Sequence, residues 1–156
     1  MAAAVPQAMN VQVLTRDYPD KYGLYHYSEA ICRTLAEAGV GFEVVRSGLP
    51  RLVSAIHRNA MRQGFNVERF FSTFPLTAKV DQDSLKHLTT QQMGSLLVFQ
   101  PGIGPAVVSV HDIVPYLVRE DREQDTFRHG VESAFDRLAM AGLKRADCLV
   151  ASSAYT

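Results

Sequence analysis

Short runs of β-branched and aliphatic residues recur along the chain, and longer stretches with apolar residues at helical spacing lie between them. The short runs predict buried strands, because an apolar run of about four to eight residues between turn signals is typical of a parallel sheet. The predicted strands cover 10–15, 41–46, 85–88, 106–110 and 147–151.

The longer stretches predict four helices, at 24–38, 51–63, 93–99 and 126–145. In the first of them the apolar side chains form one stripe, as expected for a helix that packs on a sheet. The stripe consists of Leu24, Tyr27, Ile31, Leu35 and Ala38. The segment 67–74 is apolar and aromatic with charged interruptions, and fits either a strand or a loop.

The alternation of strands and helices predicts an α/β fold. It favours a doubly wound, mostly parallel sheet with helices on both faces, because parallel strands need a crossover connection. We assign 10–156 to this domain and 1–9 to a flexible N-terminal extension. Ser152 and Ser153 are a helix N-cap signal just before the last residue, so we expect the chain to be part of a longer protein.

Charge and hydropathy disfavour several classes of function. Lysine plus arginine and aspartate plus glutamate each number 16, so the chain lacks the basic field of a nucleic-acid-binding protein. No apolar stretch approaches the roughly 20 residues of a membrane-spanning helix, and the first residues do not resemble a secretory signal. Cys32 and Cys148 lack metal-ligand spacing and are interpreted as buried free thiols. These features predict a cytoplasmic protein.

The strand at 106–110 runs directly into His111 and Asp112, residue types that contact ligands or transfer protons. Ligands of open α/β sheets bind beyond the carboxyl ends of the strands, and both residues stand at such an end. His111 is either a polar residue that satisfies the turn or a ligand contact, and its place at a strand end favours the ligand contact. Asp112 either orients the loop or acts as a base. Gly23, after the first strand, permits either a tight turn or the close approach of a phosphate.

Polar residues also follow the strand at 85–88. Thr89, Thr90 and Gln91 are candidates for contact with an acceptor substrate, although a polar loop is the simpler interpretation. No pair of histidines has metal-ligand spacing with a carboxylate, so we predict no metal site.

The segment between Glu43 and Glu68 is basic. It contains no acidic residue and four arginines, namely Arg46, Arg51, Arg58 and Arg62. The simpler interpretation is a solvated surface. The alternative is peripheral contact with an anionic membrane, to which each exposed cation would contribute about 1 kcal/mol.

Three segments resemble the N-terminal domain of family 4 glycosyltransferases, which have the GT-B fold and retain the configuration of the transferred sugar. Residues 22–29 (YGLYHYSE) are similar to the family's glycine loop. Residues 107–116 (VVSVHDIVPY) are similar to its strand and His-Asp turn. Residues 145–156 (RADCLVASSAYT) are similar to the strand that enters the interdomain region. The segments follow the family's order and span the chain from about residue 11 to its end.

The resemblance implies one half of a GT-B fold, a Rossmann-like acceptor-side domain. It implies transfer of a sugar from a nucleotide-sugar donor to a carbohydrate, lipid-linked or small-molecule acceptor, with no cofactor besides the donor. Enzymes of this family often work at the cytoplasmic face of the membrane. The residues implied are His111 and Asp112 for catalysis, Gly23, Leu24, Tyr25 and Ser152 for the donor diphosphate, and Thr89, Thr90 and Gln91 for the acceptor.

The sequence departs from the family in two respects. Tyr25 stands where the family commonly has a second glycine, and the donor-binding C-terminal domain is absent from this sequence, so we expect the chain alone to be inactive. Two other classes of function stay open: a stand-alone Rossmann-like binding or regulatory domain, and a nucleotide-dependent oxidoreductase. The oxidoreductase is disfavoured because Gly23, Tyr25 and Ser28 occupy positions where its phosphate-binding motif needs three glycines.

Overall fold

The computed structural model describes residues 10–17, 23–47, 78–111 and 130–151. In chain order the elements are β1 (Asn10–Arg16), α1 (Gly23–Glu37), β2 (Gly41–Ser47), β3 (Leu85–Leu88), a 3-10 helix (Gln91–Gly94), α2 (Ser95–Phe99), β4 (Ala106–Val110), α3 (Gly130–Leu143) and β5 (Cys148–Ala151). The five predicted strands are confirmed to within one residue at each end.

The five strands form one parallel sheet in the order β2-β1-β3-β4-β5. The chain steps from β1 to one side to make β2 and then returns across β1 to add β3, β4 and β5 on the other side. The strand order therefore reverses between β1 and β3. This reversal is the topological switch point of a doubly wound sheet, and ligands bind in the crevice outside the carboxyl ends of its strands.

Helices cover both faces of the sheet, as the sequence predicts. On one face Leu14, Leu88 and Val108 are fully buried and pack in a single apolar cluster with the 3-10 helix, α2 and α3. On the other face lies α1, whose Ser28 bonds Thr15 of β1. The described fold is thus an α/β Rossmann-like sheet, and its apolar core lies on the face opposite α1.

Helix ends differ from the predicted ones in two places. The predicted helix at 93–99 is wrong in its first turn, because the chain makes a 3-10 helix up to Gly94 and the α-helix begins only at Ser95. The last helix ends at Leu143, two residues early, and the chain turns there. Arg145 lies beyond that turn and donates from Nη1 to the carbonyl oxygens of Leu97 and Val98, near the C-terminus of α2.

Several predictions fall on parts of the chain outside the described residues. They concern the helix at 51–63, the segment at 67–74, the extension at 1–9 and the start of the last helix at 126–129.

The thiols are described, and both are free. Cys32 is partly buried, but Cys148 is exposed because β5 is the edge strand of the described sheet, so the prediction of two buried thiols is wrong for Cys148. Among the described helices, none is long and apolar enough to cross a membrane.

A contact between two glycines joins the 3-10 helix to α3. A Cβ atom on Gly94 would lie 2.6 Å from the carbonyl oxygen of Ala139, and a Cβ atom on Gly142 would overlap the carbonyl oxygen of Gly94. Both residues are buried, so the two backbones touch without an intervening side chain. This close approach fixes the segment between β3 and β4 against the third helix.

The loop before β4 contains two turn glycines, both with positive φ angles. Gly102 has φ +80° with open space around it, whereas Gly104 has φ +88° and a Cβ atom there would lie 2.5 Å from the carbonyl oxygen of Gln82. We expect Gly102→Ala to lower the free energy of unfolding by about 1–2 kcal/mol through backbone strain alone. Gly104→Ala should cost about 1 kcal/mol more, because the carbonyl must also move. Urea denaturation of the two variants measures the difference between their free energies of unfolding. Equal losses of stability in both variants would contradict the close approach of Gly104 to the Gln82 carbonyl.

Candidate functional site

Residues at the carboxyl ends of β1, β3 and β4 meet at one edge of the sheet. Backbone hydrogen bonds close this edge: the amide of Asp17 donates to the carbonyl of Ser47 (3.3 Å), and the amide of Thr89 donates to the carbonyl of Leu14 (3.1 Å). α1 begins at this edge, since Tyr27, one turn into the helix, contacts His111 just after β4. The structure therefore brings together the predicted residues Gly23, Leu24, Tyr25, Thr89, Thr90, Gln91 and His111 on one side of the domain.

His111 is held on three sides by groups from three different elements. Its backbone amide donates to Oε1 of Gln91 (3.0 Å), and its ring Nε2 lies 2.8 Å from the carbonyl oxygen of Thr89. The ring of Tyr27 packs edge to face against the imidazole, with 4.4 Å between centroids and 84° between planes. A carbonyl oxygen only accepts, so Nε2 carries a proton. The ring thus presents a defined tautomer at the edge.

Thr89, Thr90 and Gln91 are buried, each at most 2 % exposed. Thr89 and Thr90 lie in a polar loop after β3, as the simpler interpretation has it, and Gln91 begins the 3-10 helix, but the segment is buried rather than exposed. The Thr89 hydroxyl points to the sulfur of Met93 (3.8 Å), and the Thr90 hydroxyl donates to Gln92. Thr89 and Gln91 support His111, and contact of the segment with an acceptor stays a prediction.

A second row of polar side chains lies between α1 and the sheet, behind His111. The hydroxyl of Tyr27 is 2.7 Å from Oγ of Ser109, and the same Oγ is 2.9 Å from Nε2 of His87. Sequence reasoning assigned Tyr27 to an apolar stripe and gave Ser109 and His87 no role. The available signal was the period of two in β4, which places Ser109 and His111 on the same face of the sheet.

Burial lowers the pKa of His87, and the neighbouring His111 lowers it further. When a folded histidine has a pKa below its ordinary value of 6.5, the unfolded chain takes up the proton first as the pH falls. The stability that His87 contributes is therefore present above pH 6.5 and is lost as the pH falls toward the folded pKa.

We expect the melting temperature of the wild-type chain to fall as the pH is lowered from about 7.5 to about 5, and His87→Gln to reduce that fall. The measurement is thermal unfolding across this pH range. His26→Gln is the matched control, because His26 is exposed on α1 and should leave the pH dependence near that of the wild type. Identical pH profiles for wild type and His87→Gln would contradict a depressed pKa at His87.

Gly23 begins α1 at this edge. Its φ angle is not positive, and no atom of the described residues lies within 4 Å of a Cβ placed on it. Glycine is thus not required there by the packing or by the helical backbone, and the hypothesis that it permits a phosphate to approach stays open. Leu24 accepts a hydrogen bond from the Ser28 hydroxyl (2.9 Å), and the Tyr25 ring packs against that of His26.

Other candidate residues fall elsewhere. Asp112 and Ser152 lie outside the described residues. Of the predicted basic face only Arg46 is described, and it forms an exposed ion pair with Glu29 at 3.2 Å. Within the described ranges, no group of three histidine, cysteine or acidic residues could hold a metal ion.

A cavity of about 390 Å³ lies near the opposite edge of the sheet. Its lining includes Gly102 and Gly104, in the loop that precedes β4, and Arg145, which precedes β5. Ligands of doubly wound sheets bind at the carboxyl edge, so we place the candidate site at His111 rather than in this cavity.

Compared with protein-family models, curated proteins and solved structures, the chain gives no match.

Proposed function

We propose that this chain is the acceptor-side domain of a retaining glycosyltransferase with the GT-B architecture, and that His111 contacts the sugar being transferred. The observation that carries the proposal is the placement of His111. His111 follows β4, which pairs with β3 beside the switch point between β1 and β3. Thr89, Gln91 and Tyr27 hold it there. The resemblance of the His-Asp turn and the glycine loop to those of family 4 enzymes supports the same function.

In this proposal the domain acts by positioning substrates. With its Nε2 bonded to the Thr89 carbonyl, the His111 ring is oriented to contact a hydroxyl of the transferred sugar. A retaining transfer of this kind needs no protein nucleophile in the usual account. The enzyme instead orients donor and acceptor and stabilises the departing diphosphate.

The start of α1 is the proposed neighbour of that diphosphate. Its first amides have no acceptors within the helix and its dipole is positive at this end, which favours an anion. Gly23 keeps the approach clear of a side chain. Tyr25, in place of the family's second glycine, narrows this approach, so the donor would be bound mainly by the family's second domain.

Sugar transfer by the longest polypeptide that the gene encodes tests the proposal. The protein is incubated with UDP-glucose, GDP-mannose or ADP-glucose and a panel of monosaccharide, polyol and lipid acceptors, and products are identified by mass spectrometry. We expect a new glycoside from at least one donor, formed with retained anomeric configuration. Binding of a sugar nucleotide without any product would favour the stand-alone binding domain instead.

The 156-residue chain by itself should give no product, because one wall of the cleft supplies neither closure nor exclusion of water. Turnover by the purified chain at a rate comparable to that of the longest polypeptide would contradict the assignment of this domain to the acceptor side only.

A further inference from the structure

A row of polar side chains lies between α1 and the sheet, where apolar side chains could fill the space. Tyr27, Ser109 and His87 come from three elements and are linked through one oxygen, Oγ of Ser109, which is 1 % exposed. Buried polar groups cost stability unless they are hydrogen-bonded, and an apolar trio of similar volume would fill the space without that requirement. A polar row that is buried at Ser109, partly buried at Tyr27 and His87, and links α1 to β3 and β4 therefore calls for an explanation beyond packing.

The row ends against His111. Tyr27 bonds Ser109 through its hydroxyl and packs its ring edge to face on the His111 imidazole. Ser109 and His111 are two residues apart and project to the same face. The Tyr27 ring thus cannot leave the imidazole without breaking its bond to Ser109, and the imidazole cannot turn from the Thr89 carbonyl without displacing the Tyr27 ring.

The chemistry of Ser109 makes this anchor directional. A serine hydroxyl has one hydrogen to donate and lone pairs that accept, so Oγ serves both neighbours at once. The hydrogen bonds run in one direction along the row: from Tyr27 through Ser109 to His87 when Nε2 of His87 accepts, and from His87 to Tyr27 when Nε2 carries the proton. Each member then has its partner within 2.9 Å.

We propose that Tyr27, Ser109 and His87 are positioning residues that hold the His111 imidazole in one orientation and one tautomer. We name the three side chains the positioning row. The row acts on His111 through the Tyr27 ring, and its importance for sugar transfer rests on the proposed function. The effect of the row on the tautomer of His111 in the protein without ligand does not depend on the proposed function.

The test is the tautomer of His111, measured by nitrogen-15 NMR on the 156-residue chain at alkaline pH, where imidazoles are neutral. In the wild type we expect the proton on Nε2. Tyr27→Phe removes the bond between Tyr27 and Ser109, and Ser109→Ala removes both bonds of the row. Each variant loses the bond that holds the Tyr27 ring, so the ratio of the Nδ1–H to the Nε2–H form should rise about five-fold in each. A role confined to packing would change the melting temperature and leave this ratio unchanged.

Two variants serve as controls. Tyr25→Phe removes a hydroxyl from the same helix at a tyrosine that packs on His26 instead, and should leave the ratio unchanged. Ser109→Thr keeps the hydroxyl and should restore the wild-type ratio. Tyr27→Phe keeps the whole ring, so it carries the test if Ser109→Ala does not fold.

An unchanged ratio in folded Tyr27→Phe would overturn the proposal, and so would an equal rise in Tyr25→Phe. If Tyr27→Phe or Ser109→Ala raises the ratio, but the longest polypeptide with the same substitution transfers sugar at the wild-type rate, the positioning row is supported. The same result would overturn the role of His111 in transfer. The two proposals therefore fail through different measurements.

Discussion

His111→Ala is expected to reduce the rate of sugar transfer ten- to a hundred-fold while the domain stays folded. A hydrogen bond that forms in the transition state and involves charge contributes about 1.5–3 kcal/mol, which corresponds to this loss of rate. The side chain lies at the sheet edge, where it bonds the Thr89 carbonyl and packs on the Tyr27 ring. We therefore expect a stability loss of only about 1 kcal/mol.

The measurement is turnover and melting temperature on the same preparation of the longest polypeptide. His26→Ala provides the control, because His26 is an exposed histidine on α1 that packs on Tyr25 alone among the described rings. Near-normal turnover in His111→Ala would show that the His-Asp turn is structural. A loss of turnover in proportion to the unfolded fraction of the protein would show the same.

Gly142→Ala is expected to lower the free energy of unfolding by about 4 kcal/mol, at the upper end of single substitutions. In a helix interior alanine is about 1 kcal/mol more favourable than glycine, so helix propensity alone would stabilise the variant. The contact outweighs that gain, because the added methyl group would overlap the backbone carbonyl of Gly94. No side-chain rotation relieves such an overlap, and α3 must separate from the 3-10 helix, which opens the apolar core beside Leu143.

Urea denaturation of the 156-residue chain measures this loss. Gly23→Ala is the matched control, since it makes the same chemical change on another helix where nothing lies within 4 Å of the new methyl group. It should change stability by less than about 1 kcal/mol. Similar stability in Gly142→Ala and the wild type would contradict the direct contact of the two backbones.

The sequence predicts the sheet well because its strands are short apolar runs that are buried in the structure or pair at its edge. β4 is rich in valine, and in β1 the β-branched residues Val11, Val13 and Thr15 alternate with others. Turn signals flank both strands, and the predicted strand ends followed from those signals. The parallel arrangement followed from the helical spacing of the residues between strands. The order of the strands did not follow, because pairing depends on contacts between segments far apart in the chain.

The candidate site was predictable only in part. His111 was identifiable because a histidine at the end of an apolar strand stands where parallel sheets bind ligands. The support from Thr89 and Gln91 was not, since a run of polar residues after a strand is typical of an exposed loop, and only the fold buries it. The role of Tyr27 was hidden for a similar reason, because an aromatic residue on a helical stripe is typical of the core.

Chemical-shift mapping tests the central claim, that this edge of the sheet binds the substrate. The 156-residue chain, labelled with nitrogen-15, is titrated with UDP-glucose, GDP-mannose, ADP-glucose and the matching free sugars. We expect the largest shifts at Gly23, Tyr27, Gln91 and His111, with none at the cavity near Gly102 on the opposite edge. Shifts confined to the loop at Gly102 would contradict the account.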